Sequence, residues 1–179
     1  MGTILPEEIR LPKKGGNSMA SKASIGGHPV HPMLIPFPLA LWTTSFAADV
    51  VYYFVRNSNL LLISKFMLAA GCLGALAAAV PGIIDWLAIK DRQVSKVANW
   101  HARLNIIALI IFAISLYLRM QAGAWVNYHI RIAFLLSLLG VILIAISGWL
   151  GGELSYRYGV GVAPQKDTPA EEVAKVRYS

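Results

Sequence analysis

The sequence is short of cysteine and of charge. Its one cysteine, Cys72, sits inside an apolar run, which excludes a disulfide framework and a paired-cysteine metal site. Charged residues make up 14% of the 179 residues, where a soluble domain carries about 25%. There is no nucleophile–base motif and no phosphate-binding glycine loop, so nothing points to hydrolase or transferase chemistry. The N-terminal stretch lacks an apolar core followed by a small-residue cleavage site, and Pro6 breaks the myristoylation pattern.

What the chain has in excess is hydrophobicity: 56% of its residues are hydrophobic and its mean hydropathy is +0.58. The apolar residues fall into four runs, at about 32–55, 60–89, 98–120 and 128–154. A helix rising about 1.5 Å per residue can cross a hydrocarbon core of about 30 Å in each of them. The expected class is all-α, an integral membrane four-helix bundle. Residues 1–31 read as a flexible polar arm that ends in an H-P-V-H-P collar, with Met19 as an alternative start, and residues 156–179 read as a polar tail. Pro36 and Pro38 lack an N–H, so the first helix is expected to begin near Phe37 or to be distorted before it. Pro81 is expected to interrupt the second helix and free the carbonyl of Ala77.

The two halves resemble each other. Lys65, Gly74 and Gly82 in the second run match Arg131, Gly140 and Gly148 in the fourth at one constant separation. Histidines precede or open the first run (His28, His31) and the third (His101). Either the chain is a repeated helical hairpin about an axis along the membrane normal, or the matches are coincidence in apolar sequence. Ala70, Gly74 and Ala78, and the GxxxG pair Gly148 and Gly152, form small-residue faces that let helices approach closely. Such faces leave a homo-oligomer open.

Formal net charge is +7, and the basic residues lie between the apolar runs. Anionic lipid headgroups are therefore the expected partner, and nucleic acid is not. Four spans place the arm, the central loop and the tail on one face, with 12 of the 16 basic residues; the other four are Arg56, Lys65, Arg119 and Arg131. By the positive-inside rule the first face, with both termini, is cytoplasmic.

That face also gathers four polar motifs: G-H-P-V-H-P at 27–32, G-I-I-D-W at 82–86, N-W-H-A-R-L-N at 99–105 and G-W-L-G-G-E-L-S-Y-R at 148–157. They offer His28, His31, Asp85, His101, Arg103, Asn105, Glu153, Tyr156 and Arg157. Polar groups at membrane depth are costly and face a bundle interior or a cavity. Each proline after a histidine disfavours the α region before it, so His28 and His31 are expected to be extended, with His31 nearer the bundle. His31 and His101 are the candidate metal ligands, for haem b or another centre, with Asp85 or Asn105 orienting a ring nitrogen. Arg103 and Arg157 would face haem propionates, and His28 is the spare ligand. The plainer alternative is a helix-capping collar with a structural His–Asp pair. Asp49 and Lys65 lie at matching depth from the other face and are expected to form an intramembrane ion pair. His129, beside Tyr128, reads as an interfacial anchor.

The segments GHPVHPMLIPFPLALW, FAADVVY, PGIIDWL, HARLN and GWLGGELSYRYGVGV resemble a bacterial family of small membrane proteins, domain of unknown function 2231. The resemblance implies a four-helix module of the bacterial inner membrane. Some relatives are joined to a Rieske-type iron–sulfur domain after the G-V-G-V segment, which implies electron transfer. No such domain follows Val162 here, so a redox partner is expected to be a separate protein. The expected function is a haem- or metal-binding electron-transfer module. The alternatives are a structural or assembly subunit without its own chemistry, and a small transporter component built on Asp85, His101 and Asp49.

Overall fold

A computed structural model describes residues 20–121 and 126–162. Residues 1–19 of the expected arm and 163–179 of the expected tail lie outside the described residues.

The described chain opens on a two-residue β-hairpin, β1 (Ser24–Ile25) antiparallel to β2 (His28–Pro29), with Ile25 opposite His28. Its turn is Gly26-Gly27, at φ +57° and +82°, a left-handed conformation that glycine adopts without a Cβ clash. The first span follows as α1 (Val30–Leu34) and α2 (Pro36–Val55). Pro36 and Pro38 cannot donate to the carbonyls one turn back. The helix still continues, because Ile35 N–H reaches His31 O at 3.2 Å and Leu39 N–H reaches Ile35 O at 3.3 Å. Helix therefore starts at Val30, earlier than Phe37.

Asn57 caps α3 (Ser58–Ala88) by accepting from Asn59 N–H at 3.0 Å. This helix runs unbroken through Pro81. Asp91 caps α4 (Arg92–Met120) by accepting from Gln93 and Val94 N–H at 2.8 and 2.9 Å. The last helix, α5 (Val126–Gly152), passes into a five-residue π-helix at Glu153–Arg157. Val160 N–H then turns back onto Leu154 O at 2.9 Å, and Tyr158 and Val160 pack against Val94, Ala98 and Leu154. The start of the expected tail is thus folded onto the bundle end.

Four stretches are long and apolar enough to cross a membrane: Val30–Val55, Ser58–Ala88, Arg92–Met120 and His129–Arg157. The protein is an all-α four-helix membrane bundle. α2 packs on α3 and α4 on α5 as two hairpins, and the contacts of α3 with α4 and of α2 with α5 close the bundle. Large apolar side chains such as Phe54, Leu73, Leu87 and Trp149 point outward. Water would make that surface a liability, whereas lipid solvates it.

The hairpins repeat, but in a different register from the glycine and basic matches. The inner helices correspond at a separation of 70 residues: His31 with His101, Trp42 with Phe112, Ser45 with Ser115, Asp49 with Arg119. The outer helices correspond at 69: Gly71 with Gly140, Gly82 with Gly151, and the carbonyls of Ala78 and Ser147. Each pair occupies the same position in its own hairpin, which defines an approximate two-fold axis along the bundle. A Cβ added at Gly148 or Gly152 would meet nothing within 4 Å, so the GxxxG pair does not serve packing inside the bundle.

Candidate functional site

α2 and α4 run in the same direction and face each other across the axis. Residues spaced alternately by four and three, from His31 to Asp49 and from His101 to Arg119, supply the facing layers. In the middle, the Trp42 and Phe112 rings stack with centroids 4.3 Å apart and planes 20° apart. Glycines on the outer helices make room for them. A Cβ at Gly71 would sit 2.5 Å from Trp42 Cδ1, and one at Gly140 would sit 2.6 Å from Phe112 Cζ.

One end of this column is an ion-pair layer. Asp49 is bound bidentately by Arg119, Nη1 to Oδ1 at 2.7 Å and Nη2 to Oδ2 at 2.6 Å, and the side chains are 4% and 5% exposed. Four serines complete the layer. Ser45 Oγ donates to Ser64 O, and Ser115 Oγ donates to Ala133 O, both at 2.8 Å. Arg119 also donates from Nη1 to Ser64 Oγ at 3.0 Å, from Nη2 to Ser137 Oγ at 3.1 Å and from Nε to Ser115 Oγ at 3.4 Å. All five guanidinium donors are engaged, which a planar fork allows and an ammonium does not. The expected Asp49–Lys65 pair is therefore corrected to Asp49–Arg119. Lys65 matches Asp49 in depth, but its neighbour Ser64 is the α3 residue turned to the axis, and Lys65 is rotated off it.

The other end holds the histidines. Eighteen helical residues, roughly 27 Å at 1.5 Å each, separate His31 from Asp49. His31 Nδ1 lies 2.7 Å from Ala78 O, and His101 Nδ1 lies 2.8 Å from Ser147 O. A carbonyl only accepts, so Nδ1 carries the proton in both rings and donates it. The ring centroids are 6.4 Å apart and the planes perpendicular. Gly82 and Gly151 permit these contacts: a Cβ would come within 2.7 Å of the His31 ring and 3.0 Å of the His101 ring. His101 Nε2 accepts from Asn105 Nδ2 at 3.1 Å, and the same amide donates to His101 O at 2.9 Å. Pro81 frees the carbonyl of Ala77, yet His31 takes the adjacent one.

Of the residues the sequence singled out, the fold brings together His31, His101 and Asn105. His28 is exposed on β2 and does not join them. The expectation that both histidines are extended holds for His28 alone. Pro32 sits in the first turn of α1, where its missing N–H costs nothing, so His31 becomes helical despite preceding a proline. Asp85 accepts from Ser21 Oγ at 2.8–2.9 Å, Lys22 N–H at 2.7 Å and Ala23 N–H at 3.0 Å. Its work is to fasten the chain ahead of β1, so residues 20–31 are held rather than loose, and Asp85 orients neither histidine. Asp85→Ala should leave the four helices folded but expose residues 20–29 to limited proteolysis several-fold faster than the parent, read by the rate of appearance of the shortened chain. An unchanged rate would mean that Asp85 does not hold the segment.

Arg103 lies over the Trp100 ring at 5.6 Å, and Arg157 pairs with Glu153 at 2.7 Å with its side chain 69% exposed. Tyr156 is exposed. His129 lies in the first turn of α5, at the end of the bundle that carries Asp49. Sequence reasoning missed Arg119, the four serines and the Trp42–Phe112 stack. The signal that could have found them is the 70-residue correspondence between the inner helices. Among the described residues, no group of three or more His, Cys, Asp or Glu side chains converges, so the axial site offers two imidazoles and an amide.

Residues 27–164 match the family model described as Predicted membrane protein (DUF2231). No curated protein and no solved structure matches the chain.

Proposed function

We propose, for a chain that belongs to the DUF2231 family of predicted membrane proteins, that it is an electron-transfer module holding a redox metal centre between His31 and His101. The histidine pair carries this reading. Two imidazoles on opposite sides of one metal, at about 2 Å each, place their ring centres roughly 6 Å apart, against 6.4 Å here. Both Nδ1–H groups are tied to backbone carbonyls, the outer hydrogen bond that orients a metal-binding imidazole through Nε2. With two protein donors, the site suits a centre that brings its own remaining ligands, as haem b does. A bare ion asks that the Asn105 amide turn away from His101 Nε2 and that the two Nε2 atoms be aimed at one point. A macrocycle asks in addition that α2 and α4 part beside Ile35 and Asn105. Arg103 and Arg157 lie near the same end, each already engaged with a neighbour. The stacked Trp42 and Phe112 rings fill the axis, which disfavours a transport path through it.

A structural or assembly role is the second reading. It is favoured by His101, whose two ring nitrogens are both engaged within the chain. The two are separated by reduced-minus-oxidised spectra and metal analysis of protein made with haem or transition metal supplied, for the parent, His31→Ala, His101→Ala and His129→Ala. The metal reading expects a bound centre in the parent and in His129→Ala, and its loss in the other two. A parent with neither chromophore nor metal leaves the structural role.

The orientation belongs to the same proposal. Arg119 is consumed inside the bundle, so the contrast of basic residues between the two faces sharpens, which supports reading both termini as cytoplasmic in a bacterial inner membrane. A reporter fused after Ser179 should work only if it is one that functions in the cytosol. Activity of a periplasm-only reporter would reverse the topology.

A further inference from the structure

We propose that α4 carries a binding site for an anionic phospholipid, its phosphate held by Arg92, Lys96 and Arg103 and its acyl chains lying along the isoleucines that follow. The inference does not rest on the metal reading. Arg92, Lys96, Trp100, Arg103, Ile107, Ile110 and Ile114 are spaced by three or four residues and are all exposed, so they form one stripe down the outside of α4. The stripe changes from basic to apolar after Arg103. Trp100 stands at the crossing with the Arg103 guanidinium 5.6 Å from its ring, the place an amphipathic aromatic takes at a headgroup boundary.

Charge complementarity selects the occupant. Among the described residues no carboxylate forms an ion pair with Arg92, Lys96 or Arg103. The nearby acids are committed elsewhere: Asp91 to the α4 cap, Asp85 to residues 21–23 and Glu153 to Arg157. Arg92, Gln93 and Lys96 also line a shallow surface depression. A free phosphate ion would use the basic part alone, whereas the continuous apolar stripe below it matches a lipid, which presents phosphate and hydrocarbon in that order.

The repeat provides an internal control. At the 70-residue separation the counterparts of Arg92, Lys96, Trp100 and Arg103 are Lys22, Gly26, Val30 and Met33. The first hairpin begins its helix only at Val30, so it has neither the extra turns nor the guanidinium of Arg103. The site belongs to one hairpin, not to the fold as a whole.

The test uses lipid-stripped full-length protein placed in phosphatidylcholine nanodiscs doped with phosphatidylglycerol. Lipid retained after transfer to mild detergent is counted by native mass spectrometry. Each basic residue near an anionic headgroup contributes roughly fivefold. The parent should retain phosphatidylglycerol selectively, and Arg92→Gln/Lys96→Gln/Arg103→Gln should lower retention by at least roughly tenfold. Arg131→Gln, on the other face, should leave it unchanged. Arg103→Met alone, the side chain the first hairpin uses, should give a partial loss if the triple variant does not fold. Equal retention by the parent and the variants overturns the proposal, as does equal retention of phosphatidylcholine. Displacement of the lipid by millimolar inorganic phosphate would also overturn it and assign an ion site instead.

Discussion

Arg119→Met should destabilise the bundle by about 3–5 kcal/mol, the usual cost of leaving one partner of a buried ion pair alone. The carboxylate of Asp49 is 4% exposed and would lose its bidentate partner, and Ser64 and Ser137 would lose a donor. Asp49→Leu should cost a similar amount by stranding the guanidinium. The double variant Asp49→Leu/Arg119→Met should recover most of the loss, because an apolar pair of similar volume strands no charge. Lys65→Met should stay within about 0.5 kcal/mol of the parent, as substitutions away from such features do. The readout is a double-mutant cycle of unfolding in detergent. Additive losses at Asp49 and Arg119, or coupling of Asp49 to Lys65, would contradict the pairing seen here.

Trp42→Ala is the other large effect, with an expected loss of about 3–5 kcal/mol from the cavity and the lost ring contact. The stack with Phe112 joins the two hairpins at mid-bundle, so this variant should loosen one hairpin from the other. Gly71→Ala attacks the same place from behind. Its new Cβ would stand 2.5 Å from Trp42 Cδ1, a clash that backbone movement must relieve, at about 1–3 kcal/mol. Protein carrying Gly71→Ala alone should therefore melt below the parent, and Gly71→Ala combined with Trp42→Ala should cost less than the two losses added. Thermal unfolding of the four proteins in one detergent decides this. Full additivity would mean that Gly71 does not act through the tryptophan.

The number and length of the spans were legible because a bilayer demands long apolar runs, and those four runs are plain in the sequence. The early start of α4 was less so. Arg92 and Lys96 look like loop charges, but Asp91 ahead of Arg92-Gln93-Val94 is an N-cap signal, and it is what starts the helix there. The repeat was visible but misregistered, because residues of like chemistry were matched. Residues that meet across an axis do better when unlike: Asp49 faces Arg119 and Trp42 faces Phe112, so the true counterparts share position and not identity. Depth along a helix can be counted from sequence, whereas rotation about it cannot be counted so well, and matching depth alone therefore pointed to Lys65. Asp85 was misassigned because its partners are the backbone N–H groups of residues 22 and 23 and the hydroxyl of Ser21, which leave no mark in composition.

The central proposal is that two histidines, one from each hairpin, share one metal centre on the bundle axis. Metal analysis of the purified full chain, followed by X-ray absorption at the edge of any metal found, tests it most directly. The account predicts one metal per chain with two imidazole nitrogens at about 2 Å, and a single imidazole in whatever metal His31→Ala or His101→Ala retains. A metal-free protein, or a coordination sphere with no imidazole in it, would contradict the claim.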